Sequence, residues 1–124
     1  MKVVYIAGRF RAPTHFGVVQ NVRAAEAVAL AVWRTGLAAA LCPHLNCANF
    51  EGAAPDSVWL EGGLELLRRS DAVVLVDGWR TSKGTAAEVA LAFELHRPVF
   101  RGYGALGDEI PDWDSFLDWL RKES

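Results

Sequence analysis

Between Asp71 and the pair Asp77-Gly78 stand five consecutive apolar residues, Ala72-Val73-Val74-Leu75-Val76. A run this short, rich in β-branched residues and closed by turn formers, marks a strand buried on both faces. Similar runs lie at Val3 to Ile6, ended by Gly8, at Ala38 to Cys42, closed by Pro43, and at Pro98 to Arg101. Helical periodicity fills the intervals. From His15 to Thr35, the residues Val18, Val22, Ala25, Ala29 and Val32 follow at spacings of four, three, four and three, and Gly36 stands where such a helix stops. Asp56 or Ser57 is placed to cap a second helix that carries Leu60, Leu64 and Leu67 and ends near Ser70. Gly62 and Gly63 lie inside it, each at a cost on the order of 1 kcal/mol against Ala. Gly84 to Leu95 and Asp112 to Lys122 read as further helices, the last striped by Trp113, Phe116, Leu117 and Leu120. Continuous apolar strands alternating with helices predict an α/β fold: a doubly wound, Rossmann-like parallel sheet of four to five strands with helices on both faces.

At 124 residues the chain fits a single domain, 1–124, and its 52% hydrophobic content suits a packed core. Thirteen basic residues against fifteen acidic ones give a net charge of −2, which argues against polymeric nucleic acid or an anionic membrane surface as the partner. No apolar run reaches the roughly 18 residues of a membrane span, and the N-terminal stretch is too short for a signal-peptide core. The expected location is cytoplasmic. Cys42 and Cys47, the two cysteines, make no disulfide framework. With His44 they are potential zinc ligands, but Pro43 and the tight spacing suit a reduced-thiol loop better than a tetrahedral cage, so no metal is expected.

Open parallel sheets bind ligands at the carboxyl ends of their strands. That directs attention to Gly8-Arg9-Phe10-Arg11, to His44-Leu45-Asn46, to the stretch from Asp77 to Gly84, and to the loop after Arg101. Backbone N–H groups at the start of the Gly84 helix, with the Ser82 and Thr85 hydroxyls, would make an anion site. The spacing is neither that of a phosphate-binding P-loop nor of a dinucleotide fingerprint. Glu88 is the hardest residue to explain as structure. Its helical neighbours Leu91, Ala92 and Leu95 are apolar, so its carboxyl is either desolvated or aimed into a cleft. A first-turn position would favour the ionised form, fit for a nucleophile, and would equally suit a glutamate that only complements the helix dipole. Arg11 and Arg9 could clamp a phosphate, Arg9 reading better as a surface residue. Tyr5 packs in the sheet with a hydroxyl that needs a partner. Trp79 would stack on a base or fold back as a lid. His44 would be an acid, a hydrogen-bond donor or a loop histidine without a task.

Tyr5-Ile6-Ala7-Gly8-Arg9-Phe10-Arg11, Asp71-Ala72-Val73-Val74-Leu75 and Ser82-Lys83-Gly84-Thr85-Ala86-Ala87-Glu88 together resemble the nucleoside 2-deoxyribosyltransferase superfamily, over about residues 3 to 100. Its members include deoxynucleoside 5′-monophosphate N-glycosidases and cytidylate N-glycosidases. The likeness is greatest to a bacterial and phage branch with a Tyr-x-x-Gly start, a Pro-His-x-Asn loop and a Gly-Trp-x-x-Ser-x-Gly-x-x-x-Glu segment. The resemblance implies a flavodoxin-like fold and cleavage of an N-glycosidic bond. Glu88 would be the nucleophile that attacks C1′, and Tyr5 the residue that orients it. Ser82 and Arg11 match phosphate-binding positions and imply a 5′-monophosphate rather than a free nucleoside. Gly8, His44, Asp77, Trp79 and Gly84 would complete the binding site, with Asp77 or His44 available to protonate the leaving base. No cofactor is implied.

One position departs from the pattern: eight residues before Asp71, where the superfamily usually carries an aspartate, this chain has Gly63. The shared motifs and Glu88 make a nucleotide N-glycosidase the leading expectation, with Gly63 counting against it. A deoxyribosyltransferase and a non-catalytic nucleotide-binding module are the alternatives. Relatives often complete the pocket between subunits, and the apolar first and Gly84–Leu95 helices point to a homodimer or larger assembly.

Overall fold

The computed structural model describes residues 1–47, 49–102 and 112–123. Four strands, β1 (Lys2–Ala7), β2 (Ala38–Leu41), β3 (Ala72–Leu75) and β4 (Val99–Arg101), form one sheet in the order β2-β1-β3-β4. Every pairing is parallel: Tyr5 sits beside Leu41 on one side and Val73 on the other, and Val74 beside Phe100. The helices are α1 (His15–Arg34), α2 (Pro43–Asn46), α3 (Asp56–Arg68), α4 (Lys83–Glu94) and α5 (Trp113–Glu123), with a 3-10 turn at Trp79–Thr81. The expected α/β architecture is present, with four strands. The stretch 103–111 of the loop after Arg101 lies outside the described residues.

The side-chain period of two along the strands divides the core. Val4, Ile6, Val74 and Val76 face one way and pack with Val28 and Val32 of α1 and with Phe116 and Leu120 of α5. Tyr5, Ala7, Val73 and Leu75 face the other way, onto Leu67 of α3 and Val89 and Ala92 of α4. Both faces of β3 are therefore covered, which is why its sequence is apolar without alternation. Asp71 fastens the lower end of the central pair: its carboxylate accepts from the Val3 N–H at 2.7 Å while its own N–H reaches the Val3 carbonyl at 2.8 Å.

Helix ends differ in detail from the sequence expectation. Pro55 occupies the N-cap of α3 and gives no side-chain cap, so Asp56 is the first helical residue rather than the cap. α4 begins at Lys83, with the Ser82 hydroxyl accepting the Thr85 N–H at 3.2 Å. Gly36 ends α1 with a φ of 69°, a conformation that favours glycine. None of the described helices is long and apolar enough to cross a membrane.

The connections leave β1 and β3 in opposite directions from the middle of the sheet, which makes a crevice at their carboxyl ends. Gly8 is required where the two exits pass. A Cβ on it would lie 2.6 Å from the Val76 Cβ. Gly62 in α3 has open space around it. Gly8→Ala should therefore destabilise the protein by about 1–3 kcal/mol, whereas Gly62→Ala should stabilise it by up to about 1 kcal/mol. Urea denaturation of the two variants checks both signs.

Candidate active site

The crevice is a cavity of about 670 Å³ lined from four sides. The loop after β1 supplies Gly8, Arg9, Phe10 and Arg11; α2 supplies His44; α3 supplies Trp59, Leu60, Gly63 and Leu64; and the start of α4 supplies Ser82, Lys83, Gly84 and Glu88. Tyr5 forms part of the floor. Of the residues singled out in the sequence, Tyr5, Gly8, Arg11, His44, Ser82, Gly84 and Glu88 converge here. Asp77 and Trp79 do not. Asp77 is exposed and its carboxylate accepts the N–H of Gly78 at 3.0 Å. Trp79 folds back onto the core, and the Arg80 guanidinium lies 5.5 Å from its ring centre.

Glu88 is held at the bottom of this cleft. Burial pushes its carboxyl up to about 7, against a hydrogen bond from the Tyr5 hydroxyl that pulls it down. This corrects the expectation of a dipole-stabilised, ionised first-turn glutamate. With Ser82 at the N-cap and Lys83 opening the helix, Glu88 lies in the second turn, where the dipole has faded. The balance is also unequal: a rise from 4.5 to about 7 disfavours the ionised form by on the order of 3 kcal/mol, against about 0.3–1 kcal/mol available from a dipole. Tyr5 keeps its proton, because burial and the neighbouring Glu88 charge both oppose ionisation. The face of α3 comes close to this pair through Gly63, where a Cβ would stand 3.2 Å from the Tyr5 hydroxyl oxygen.

The other end of the cleft is cationic. The N–H groups of Lys83 and Gly84, in the first turn of α4, precede the N–H that Ser82 caps, which is the arrangement that receives an anion at a helix start. Gly84 has ordinary space around it, its Cβ position 3.5 Å from Leu60. Arg11 reaches across the mouth to Asp56 at 2.6 Å, both side chains largely exposed. Arg9 is exposed, as expected, and also lines the cleft: its guanidinium lies over Gly78 and donates to the Thr81 hydroxyl at 3.2 Å. Gly78, with a φ of 84°, has no side chain to obstruct it.

His44 is settled by its partner. Its Nε2–H donates to the Arg9 carbonyl at 2.8 Å, and burial lowers its pKa. A neutral ring with its proton on Nε2 is no general acid at neutral pH; it holds the loop after β1. Its Nδ1 atom, the Trp59 indole N–H and the Thr85 hydroxyl are buried cleft-wall groups with no hydrogen-bond partner among the described residues. Cys42, buried behind α2, has its thiol pushed up to about 11 by burial, so it is not a nucleophile at neutral pH. Among the described residues no three metal-ligating side chains come together. Sequence reasoning missed the cleft face of α3. The spacing Asp56, Trp59, Leu60, Gly63, Leu64 would have found that face, since it is a helical stripe facing the β1 and β3 loops.

A family model described as "Domain of unknown function (DUF4406)" matches residues 2–101. The chain belongs to the DUF4406 family. The match covers β1 through β4 and includes every residue named in the cleft. No curated protein matches the chain in sequence. Among solved structures, the 2-deoxyribosyltransferase of Bacillus psychrosaccharolyticus superposes with a TM-score of 0.57 at 20% identity, over 80% of this chain and 70% of that one. The DUF4406 chain thus shares the Rossmann-like fold of that enzyme.

Burial of Glu88 also sets a pH dependence of stability. Its pKa in the folded protein, about 7, exceeds its ordinary value of 4.5, so the native state binds this proton more tightly than the unfolded chain does. Its contribution is fully favourable below about pH 4.5 and is lost as pH rises through about 7. Glu88→Gln should match the parent at pH 4 and exceed it by on the order of 1–3 kcal/mol at pH 8. Denaturation curves at the two pH values measure the difference.

Proposed function

We propose that this protein hydrolyses the N-glycosidic bond of a nucleoside or deoxynucleoside 5′-monophosphate. The observation that carries the reading is the buried Tyr5–Glu88 pair at one end of a cleft whose other end is the N-terminus of α4, flanked by Ser82, Arg9 and Arg11. A phosphate received by the Lys83 and Gly84 N–H groups and the Ser82 hydroxyl extends its sugar toward Glu88, one turn further along the same helix. Arg11 turns from Asp56 to the phosphate, whose double charge makes the stronger partner.

Glu88 attacks C1′ in its ionised form, displaces the base and forms a glycosyl ester. Water then attacks C1′ and releases the sugar phosphate. Tyr5 holds the attacking carboxyl by its hydroxyl hydrogen and stabilises the charge that returns to it when the ester breaks. If a second base replaces water, the same intermediate performs transfer, the reaction named for the Bacillus enzyme of like fold. The reaction as written draws on carboxylate and hydrogen-bonding chemistry from this chain alone. The exposed Phe16, Leu30 and Trp33 of α1 support self-association into a homodimer or larger assembly, which light scattering at micromolar concentration reads directly.

Chromatography of base release from ribo- and deoxyribonucleoside 5′-monophosphates tests the reaction. Glu88→Gln should lose at least about 1,000-fold in kcat while still binding nucleotide; unchanged turnover removes Glu88 from the mechanism. Because attack needs the ionised carboxyl, kcat/KM should rise with pH through about 7, the value of the buried group. Ser82→Ala and Arg11→Ala should each reduce the preference for a monophosphate over its nucleoside by about 10-fold or more, as expected for a charge-assisted hydrogen bond of about 1.5–3 kcal/mol. An unchanged ratio would place the phosphate elsewhere.

A further inference from the structure

Glu88 is half-buried, and among the described residues no second carboxyl is fixed beside it. Glycosidases that displace through a carboxylate ordinarily hold two such groups about 5–5.5 Å apart, one to attack C1′ and one to protonate the departing group. Here the wall against the Tyr5–Glu88 pair is Gly63, and the rest of α3 lines the cleft with Trp59, Leu60 and Leu64. The remaining titratable groups of the lining are engaged elsewhere or exposed. Asp56 stands at the Arg11 end of the cleft, seven residues and about 10 Å along α3 from Gly63, while Glu51 and Lys83 are exposed to solvent. His44 is neutral and donates to the Arg9 carbonyl, and the Tyr5 proton is directed at Glu88. Cys47 offers only a thiol, a weak donor.

A neutral purine or pyrimidine leaves as an anion unless a proton reaches it in the transition state. A base that already carries a positive charge needs no proton. Resting on the N-glycosidase reading, we infer that this cleft selects nucleotides with a cationic base, such as a pyridinium or an N7-alkylated purine, because Gly63 leaves the α3 wall beside Glu88 without an acid among the described residues. In the first step a Glu88 carboxylate oxygen bonds to C1′ as the C1′–N bond breaks. The bonding pair moves onto the ring nitrogen and cancels the positive charge of the ring, so the base departs neutral and no proton moves. In the second step water attacks C1′, the ester bond breaks with its electron pair returning to Glu88, and the surplus proton of the water passes to solvent. One water is consumed and one proton released for each base. The surroundings favour such a ring. Trp59, in ring contact with Phe50 at 6.2 Å, presents an aromatic wall, and aromatic faces attract cations. A positive ring beside Glu88 also draws its carboxyl toward the ionised form that attack requires.

Initial rates of base release at pH 7.5 test the inference, with nicotinamide mononucleotide and 7-methylguanosine 5′-monophosphate set against GMP, CMP and their deoxy forms. The expected result is a kcat/KM at least about 100-fold higher for the cationic bases, the lower end of what a general acid contributes. Comparable rates, or a preference for neutral bases, would overturn this selectivity and leave the N-glycosidase reading standing. Release from no member of the panel would overturn that reading and the inference with it. Gly63→Asp, verified as folded by its circular dichroism melt, should raise the rate on neutral bases relative to cationic ones. An unchanged ratio in that folded variant would overturn the assignment to Gly63.

Discussion

The structure turns on a half-buried carboxyl. Glu88 projects from the second turn of α4 into a cleft floored by β1, and Tyr5 is its hydrogen-bonding neighbour. Burial disfavours the ionised group by on the order of 3 kcal/mol, a large fraction of the 5–15 kcal/mol by which a domain is ordinarily stable. The surrounding residues are consistent with that strain. Tyr5 is packed against the Leu67 and Val89 side of the sheet and cannot swing away. Gly63 lets α3 approach close enough to shield the pair, although glycine weakens a helix interior.

The polar end of the cleft is pre-arranged by contacts that involve no ligand. Three successive carbonyls of the loop after β1 are held by side chains from two helices: His44 takes Arg9, and Asn21 takes Phe10 at 3.1 Å and Arg11 at 3.3 Å. Arg9 in turn donates to Thr81, which joins this loop to the one after β3. The two loops that diverge from the centre of the sheet are thereby fixed relative to each other, which keeps the N-terminus of α4 and the arginines at a set spacing. Arg11 is the exception. Its partner Asp56 is as exposed as itself, so this ion pair contributes about 0–1 kcal/mol and gives way easily to a phosphate.

Much of this was legible in the sequence, and the reasons are specific. The apolar run from Ala72 to Val76 has only one economical placement, the middle of a parallel sheet, and the topology follows from it. The helix read from Gly84 to Leu95 is α4, whose start at Lys83 is set by the Ser82 hydroxyl. The apolar neighbours of Glu88 announce a desolvated acid. The protonation of that acid was not legible, since it depends on how far α3 and the sheet shield Glu88, which only the packed structure shows. Nor was the role of Arg9, which depends on Gly78 leaving room for a guanidinium across the sheet. Asp77 and Trp79 followed a strand that ends in the crevice, yet the Asp77 carboxylate turns to the Gly78 N–H and Trp79 packs on the core.

The stereochemistry at C1′ tests the role of Glu88 most directly. Proton NMR during turnover resolves the anomer of the sugar phosphate formed first, before the two anomers equilibrate. Displacement by Glu88 followed by displacement by water inverts C1′ twice, so the account predicts net retention. Net inversion would mean that water attacks the nucleotide directly, and would contradict a glycosyl ester on Glu88.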